Sequence, residues 1–268
     1  MTNLLIGYPQ ITTSATVTTS SAFATAKPKE RAIYGSRSEG VELAAAATSM
    51  WMKFDLGSSQ TKTIDFLYVA RAKLLKSRLS TRLLLEGSTD DISYSDVCGV
   101  DGGFQSLALY GPRSEDAIFT EALGNSTDGT LPASPSCRYW RFWGAGAADP
   151  SELYQFSKVI FGQWFDMGRE PRSDMNVSLE RSPWNRDGRL VFNMRWEGIS
   201  KATKDSFVST FVKEAGVSKV ERGLFLYTDT NHAPLLGYRV LHAVIAAYEA
   251  KYRTEGFFDL SVTFKELI

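Results

Sequence analysis

Short β-branched and apolar runs, cut apart by turn residues, fill nearly all of this 268-residue chain. That texture limits the fold more than any other feature. Residues 11–20 (ITTSATVTTS) are rich in β-branched side chains and poor in helix formers. Residues 63–70 (TIDFLYVA) are apolar on nearly both faces, the pattern of a strand in the middle of a sandwich. Residues 81–87 (TRLLLEG) and 157–165 (SKVIFGQWF) read the same way. Between these runs fall Gly57-Ser58, Gly87-Ser88, Asp101-Gly102-Gly103, Gly111-Pro112 and Asp128-Gly129, each a turn signal. Short strands broken by such turns predict an all-β sandwich.

After Gly162 the texture changes. Leu190, Phe192, Met194 and Trp196 alternate with Val191, Asn193 and Arg195. Phe258, Leu260, Val262 and Phe264 alternate with Asp259, Ser261, Thr263 and Lys265. Both patterns predict half-buried strands with one wet face. Between them one helix is expected over 201–215. Ser200 is its N-cap and Gly216 its stop, with Phe207, Val208, Phe211, Val212 and Ala215 on one apolar face. Residues 239–252 (RVLHAVIAAYEAKY) fit a helix or a strand. Strand is favoured, because a strand pairing with the terminal one completes a sheet for the helix to cover. The expected division is therefore a domain over 1–162 and a second over 163–268, with Gly168–Pro171 as a short link.

Charge excludes some roles. Lys+Arg and Asp+Glu are equal at 30 each, and neither half carries the basic excess expected of most nucleic-acid or anionic-membrane binders. No apolar window approaches a membrane span. The uncharged opening has ten Ser or Thr in its first 26 residues, so it lacks the apolar core of a signal peptide, and synthesis in a cytosol is expected. Cys98 and Cys137 are too few for a disulfide framework and form no zinc motif. Two free thiols are expected, with a single disulfide as the alternative. Asp90, Asp91, Asp96 and Asp101 match no EF-hand spacing and read as turn carboxylates.

Four pieces of the first half resemble discoidin-type (galactose-binding-like) jelly rolls. They are the opening NLL (Asn3–Leu5), WMKFDLG (Trp51–Gly57), LLLEGSTD (Leu83–Asp90) and CRYWRFWG (Cys137–Gly144), followed by a closing strand ending in IFG (Ile160–Gly162). Trp51 and Phe54 are expected to bury large area. Asp55 and Gly57 mark an exit turn, and Arg138 and Arg141 flank aromatics whose faces they can cover. The resemblance implies binding of carbohydrates or lipids through loops at one end of the sandwich, and a host-surface glycan is the ligand considered for this chain. The candidate contacts are Tyr34, Arg71, Lys73 and Arg78, which also read as ordinary loop residues.

The second half resembles the distal-tail type of bacteriophage tail-tip module. The pieces are FGQWFDMGREP (Phe161–Pro171), the helix at 201–215, RGLFLYTD (Arg222–Asp229) and the closing FFDLSVTFKEL (Phe257–Leu267). The resemblance implies an antiparallel sheet or split barrel with one flanking helix, pairing with copies of itself in a ring. Other tail proteins (tube, hub, fibres) would be its partners, in a virion assembled in the host cytoplasm. An exposed strand edge accepts a neighbouring strand, and a closed ring removes the edge. Trp164, Phe165, Arg169, Arg172, Trp184 and Arg186 gather around the link as candidate inter-subunit or inter-domain contacts.

Only His232 and His242 are present, and no GxSxG, HExxH or P-loop motif occurs. No catalytic, cofactor or metal residue is assigned. The expected fold is thus mainly β, a discoidin-like jelly roll followed by a small α+β tail-type module. The expected function is a non-enzymatic tail-tip or baseplate component. A carbohydrate-binding module is the alternative, and an accessory domain of a polysaccharide hydrolase a lesser one.

Overall fold

A computed structural model describes residues 5–9, 15–20, 22, 24–34, 40–42, 44, 49–70, 79–98, 105–108, 117–120, 135–147, 155–172, 176–182, 185–214, 224–227 and 240–266. The fold is mainly β, built from antiparallel sheets, with one short flanking helix in its C-terminal part. The chain forms two compact units. Pro9–Gln163 is one, and Met1–Tyr8 with Trp164–Ile268 is the other. The division at Gln163 lies one residue from the expected boundary, but the first eight residues group with the C-terminal unit. There β1 (Leu5–Pro9) pairs with a strand at 224–227, placing Leu5 opposite Tyr227.

The N-terminal unit is a sandwich. One sheet holds β2 (Thr16–Thr19), β4 (Ser49–Asp55), β7 (Leu79–Ser88), β8 (Ser95–Cys98) and β12 (Tyr139–Ala147), in the order β2-β4-β12-β7-β8. Facing it are β6 (Phe66–Val69), β9 (Gln105–Ala108), β10 (Ala117–Thr120) and the first residues of β14 (Val159–Asp166). Strand β6 lies between β14 and β10, and all four of its residues are buried, as its two apolar faces require. Among the described residues the unit also has two ribbons: β3 (Val41–Glu42) with β13 (Gln155–Phe156), and β5 (Lys62–Thr63) with β11 (Ser136–Cys137).

Alternation in β4 and β12 sends Met50, Met52, Phe54, Trp140 and Phe142 into the core. There Phe54 meets Phe161 edge to face at 4.5 Å and Phe142 meets Phe156 at 5.6 Å, so rings interlock across the core. Trp51 is only half-buried, because it lies on the outward face of β4. Of the two aromatics expected to bury in that motif, Phe54 alone does so fully. Cys137 is a free, buried thiol.

The C-terminal unit is one antiparallel sheet and a helix. Its strands are β15 (Asn176–Ser182), β16 (Asn185–Ser200), β17 (Leu224–Tyr227), β18 (Val240–Thr254) and β19 (Phe257–Glu266), in the order β15-β16-β19-β18-β17-β1. The run that sequence leaves open between helix and strand is strand from Val240 onward. The alternations hold: Phe192, Met194, Trp196, Leu260, Val262 and Phe264 are buried, while Asn193 and Arg195 are exposed. Glu266 continues the buried row, and its carboxylate accepts from the Leu190 amide at 3.1 Å.

Helix α2 spans Lys201–Phe207 (α1 is the single turn Arg31–Tyr34) and widens into a π-helical segment, Val208–Glu214. Ser200 caps it, its hydroxyl accepting from the Thr203 amide at 3.0 Å. Phe207 and Phe211 are buried with rings 4.9 Å apart. Tyr8 and Phe165 meet the Phe211 ring edge on, at 5.2 and 5.3 Å.

Candidate functional site

The outward face of the five-stranded sheet carries a connected set of charges and rings. The register explains it. Thr16, Asp55, Tyr139 and Ser88 stand in one cross-strand row. Thr18, Lys53, Arg141 and Glu86 stand in the next. Trp51 and Trp143 are register partners one row further. Cross-strand neighbours on one face lie about 5 Å apart. Side chains of these rows and of the residues flanking them therefore meet, although 38 to 83 residues separate the partners in sequence.

Asp55 anchors the first row. Its carboxylate accepts two bonds from Arg138, at 2.7 and 2.9 Å, and one from the Gly57 amide at 2.9 Å. Gly57 has φ +95°, a left-handed conformation that glycine adopts without strain. The D-L-G turn and the R-Y strand therefore clasp each other. The Arg138 guanidinium covers the Tyr139 ring at 4.6 Å.

The second row is more tightly linked. Lys53 pairs with Asp91 at 2.6 Å and lies 5.8 Å from the centre of the Tyr139 ring. Tyr94 donates to Asp91 at 2.5 Å. Arg141 pairs with Glu86 and stacks over Tyr94 at 3.8 Å. Burial, then the Asp91 hydrogen bond, push the Tyr94 phenol well above its ordinary range, so it stays protonated and donating. The turn that presents Tyr94 is built by Asp90, which accepts from the Ile92 and Ser93 amides at 2.9 Å each. Asp90 and Asp91 are thus occupied by a turn and an ion pair.

The Arg138 hydrogen bonds hold the Asp55 carboxyl below the usual carboxylate range, against the opposing effect of burial. A group with a depressed folded pKa contributes stability above its unfolded value, about 4, and loses it as pH falls through the folded value. Asp55→Asn should therefore lower the urea midpoint at pH 7, with the gap to wild type narrowing below pH 4. Urea titrations at pH 7 and pH 3 check this; an equal gap at both would show that the charge is not what holds the clasp.

The residues expected from sequence fall elsewhere. Tyr34 ends α1, with its side chain outside the described set. Arg71, Lys73, Arg78 and Trp184 lie outside the described residues, as does His232. Arg186 and His242 lie in β16 and β18, with their side chains outside the described set. Trp164 is buried, and Phe165 packs on Phe207 and Phe211 within the C-terminal unit. Arg169 donates to the Glu197 carbonyl at 3.1 Å and Arg172 pairs with the Glu197 carboxylate at 2.5 Å. Sequence reasoning misses the Lys53–Asp91–Tyr94 and Arg141–Glu86 links. The nearest signal is the pair of arginines beside aromatics at 138–141, whose covering of Tyr139 and Tyr94 the geometry shows.

No family model matches the sequence, and no curated protein matches it. Solved structures do. CBM32-1 from a family 31 glycoside hydrolase of Clostridium perfringens is 11% identical, with 56% of this chain and 94% of that one covered at a TM-score of 0.38. Chitosan-binding module 1, from a chitosanase/glucanase of Paenibacillus sp. IK-5, is 14% identical, covering 58% and 99% at 0.37. The fucose binding module SpX-3 of Streptococcus pneumoniae is 10% identical, covering 55% and 93% at 0.36.

Proposed function

We propose that the N-terminal unit is a non-catalytic carbohydrate-binding module, and that its ligand lies on the outward face of β4, β12, β7 and the turn after β7. The observation that carries this is the half-buried network Lys53–Asp91–Tyr94 with Arg141–Glu86, in which a guanidinium stacks on a ring. A pyranose offers an apolar C–H face and a rim of hydroxyls. Aromatic rings supply apolar area with a polar tip. Fixed Arg, Lys and Asp groups give charge-assisted hydrogen bonds to hydroxyls. Because these groups already hold one another, little ordering cost remains on binding. The discoidin-like motifs imply the same ligand class.

A glycan array with the full chain tests the reading. At least one glycan family should bind, and Arg141→Ala should weaken it about tenfold, the loss of one charge-assisted hydrogen bond. No signal on a broad array, or retention of full affinity by Arg141→Ala, would remove the proposal.

A second reading, a ring-forming component of a phage tail tip, rests on the sequence of the C-terminal unit. One feature favours a protein contact there: Tyr248, Tyr252 and Phe257 are exposed along the β18–β19 hairpin, and exposed aromatics are enriched at interfaces. Native mass spectrometry showing a monomer at all accessible concentrations would count against it.

A further inference from the structure

The wet face of the C-terminal unit holds a second arrangement with its own chemistry. In β16 the register shifts between Trp196 and Ile199, and Gly198 adopts φ +62°. This bulge concentrates charge. Glu197 accepts from Arg172 at 2.5 Å and Arg195 at 3.2 Å, and from Arg253 at 3.4 Å. Asp259 accepts from Arg195 at 2.9 Å, from Arg253 at 3.4 Å and from the Gly198 amide at 3.0 Å. Arg169 reaches the Glu197 carbonyl. Four guanidiniums therefore gather on two acidic residues, and positive charge is in excess among these six groups. The carboxylate side is the more buried: Asp259 is 15% exposed, whereas Arg172, Arg195 and Arg253 are 45–50% exposed. The excess faces water.

Arg195 also lines a trough of about 360 Å³ that crosses β16, β19 and β18. Its floor is small and hydroxylic, from Ser261, Thr263 and Ala247. Thr263 donates to the Asn193 side-chain oxygen at 2.7 Å, which leaves the Asn193 amide nitrogen to donate. Glu249, at the far side, is partnered by Lys251 at 3.4 Å. The volume lies in the range of small-ligand sites. Arginine forks suit carboxylates, and the hydroxyl and amide floor suits a polyhydroxylated ring.

We infer that this trough binds an acidic saccharide, its hydroxyls on Asn193, Ser261 and Thr263 and its carboxylate on the Arg195–Arg253 cluster. The site is distinct from the sheet face of the N-terminal unit and does not depend on it. Glu197 and Asp259 hold the arginines together against their mutual repulsion.

Calorimetric titration of the full chain with oligogalacturonate, a neutral oligogalactan and oligoglutamate tests the inference. Oligogalacturonate should bind more tightly than the other two, and salt should weaken it by screening. Arg253→Gln, whose bonds are the longest in the cluster, should fold normally and weaken binding about tenfold. Ala247→Trp, which fills the trough and leaves every arginine in place, should do the same. Absence of oligogalacturonate binding would overturn the inference, as would indifference to both C-terminal variants. Equal binding of oligoglutamate would reduce the site to a general polyanion patch, and loss in Arg141→Ala alone would move the ligand to the other unit. Either result refutes the site as drawn.

Discussion

Gly162→Ala should destabilise the N-terminal unit by about 3 kcal/mol, at the upper end for overpacking a filled core. A Cβ built on Gly162 would sit 2.0 Å from Phe66 Cζ, with two more ring atoms at 2.5 and 2.6 Å. Phe66 is fully buried and is the cross-strand partner of Gly162. Its ring lies over the glycine and cannot retreat without displacing the core. The I-F-G ending of the predicted closing strand is thus explained by close approach rather than by a turn. For a unit of this size, the melting temperature should fall by roughly 6–12 °C. Thermal unfolding followed by circular dichroism measures it, and an unchanged melting temperature would mean that the Phe66 ring does not cover the glycine.

Trp140→Ala should cost more, about 3–5 kcal/mol. Trp140 is fully buried, and its indole nitrogen donates to the Cys137 carbonyl at 3.0 Å. Across the sheet Gly87 leaves room for it: a Cβ there would lie 3.2 Å from the indole and 2.9 Å from Cys137 Sγ. Truncation opens a cavity and also leaves a buried carbonyl without its donor. Trp140→Phe keeps most of the volume and loses chiefly the bond, so its cost should be about 1–2 kcal/mol. Urea midpoints of the two variants separate packing from hydrogen bonding. Equal losses would assign the whole effect to the indole nitrogen.

These two contacts show what a sequence displays and what it conceals. Gly87 and Gly162 stand out as motif glycines, yet the rings they accommodate lie on other strands. Strands β16 and β19 are legible because strict alternation is a local property: Phe192, Met194 and Trp196 differ visibly from Asn193 and Arg195. The helix start at Ser200 is legible for the same reason, since a cap and its amide are three residues apart. Its π-helical second half is not, because Phe207 and Phe211 keep the spacing of an ordinary helix.

Long-range pairing is concealed. Nothing in Leu5–Pro9 announces that its partner is Leu224–Tyr227, so sequence alone assigns the opening segment to the jelly roll it precedes. The sheet-face network is concealed likewise. Lys53 and Asp91 are 38 residues apart, and Arg141 and Glu86 are 55 apart. Only the register of β4, β12 and β7 brings them to one face. Charges such as Arg71, Lys73 and Arg78 draw attention in the sequence because they lie close together along it. A network assembled by strand pairing leaves no such cluster.

The central claim is that the outward face of the five-stranded sheet is the glycan site. Hydrogen–deuterium exchange of the full chain, with and without the strongest ligand from a glycan array, tests it most directly. Protection should appear in β4, β12 and the turn carrying Asp91 and Tyr94, with no change at residues 27–40 and 71–78. Protection confined to 27–40 and 71–78, with β4 and β12 unaffected, would contradict it.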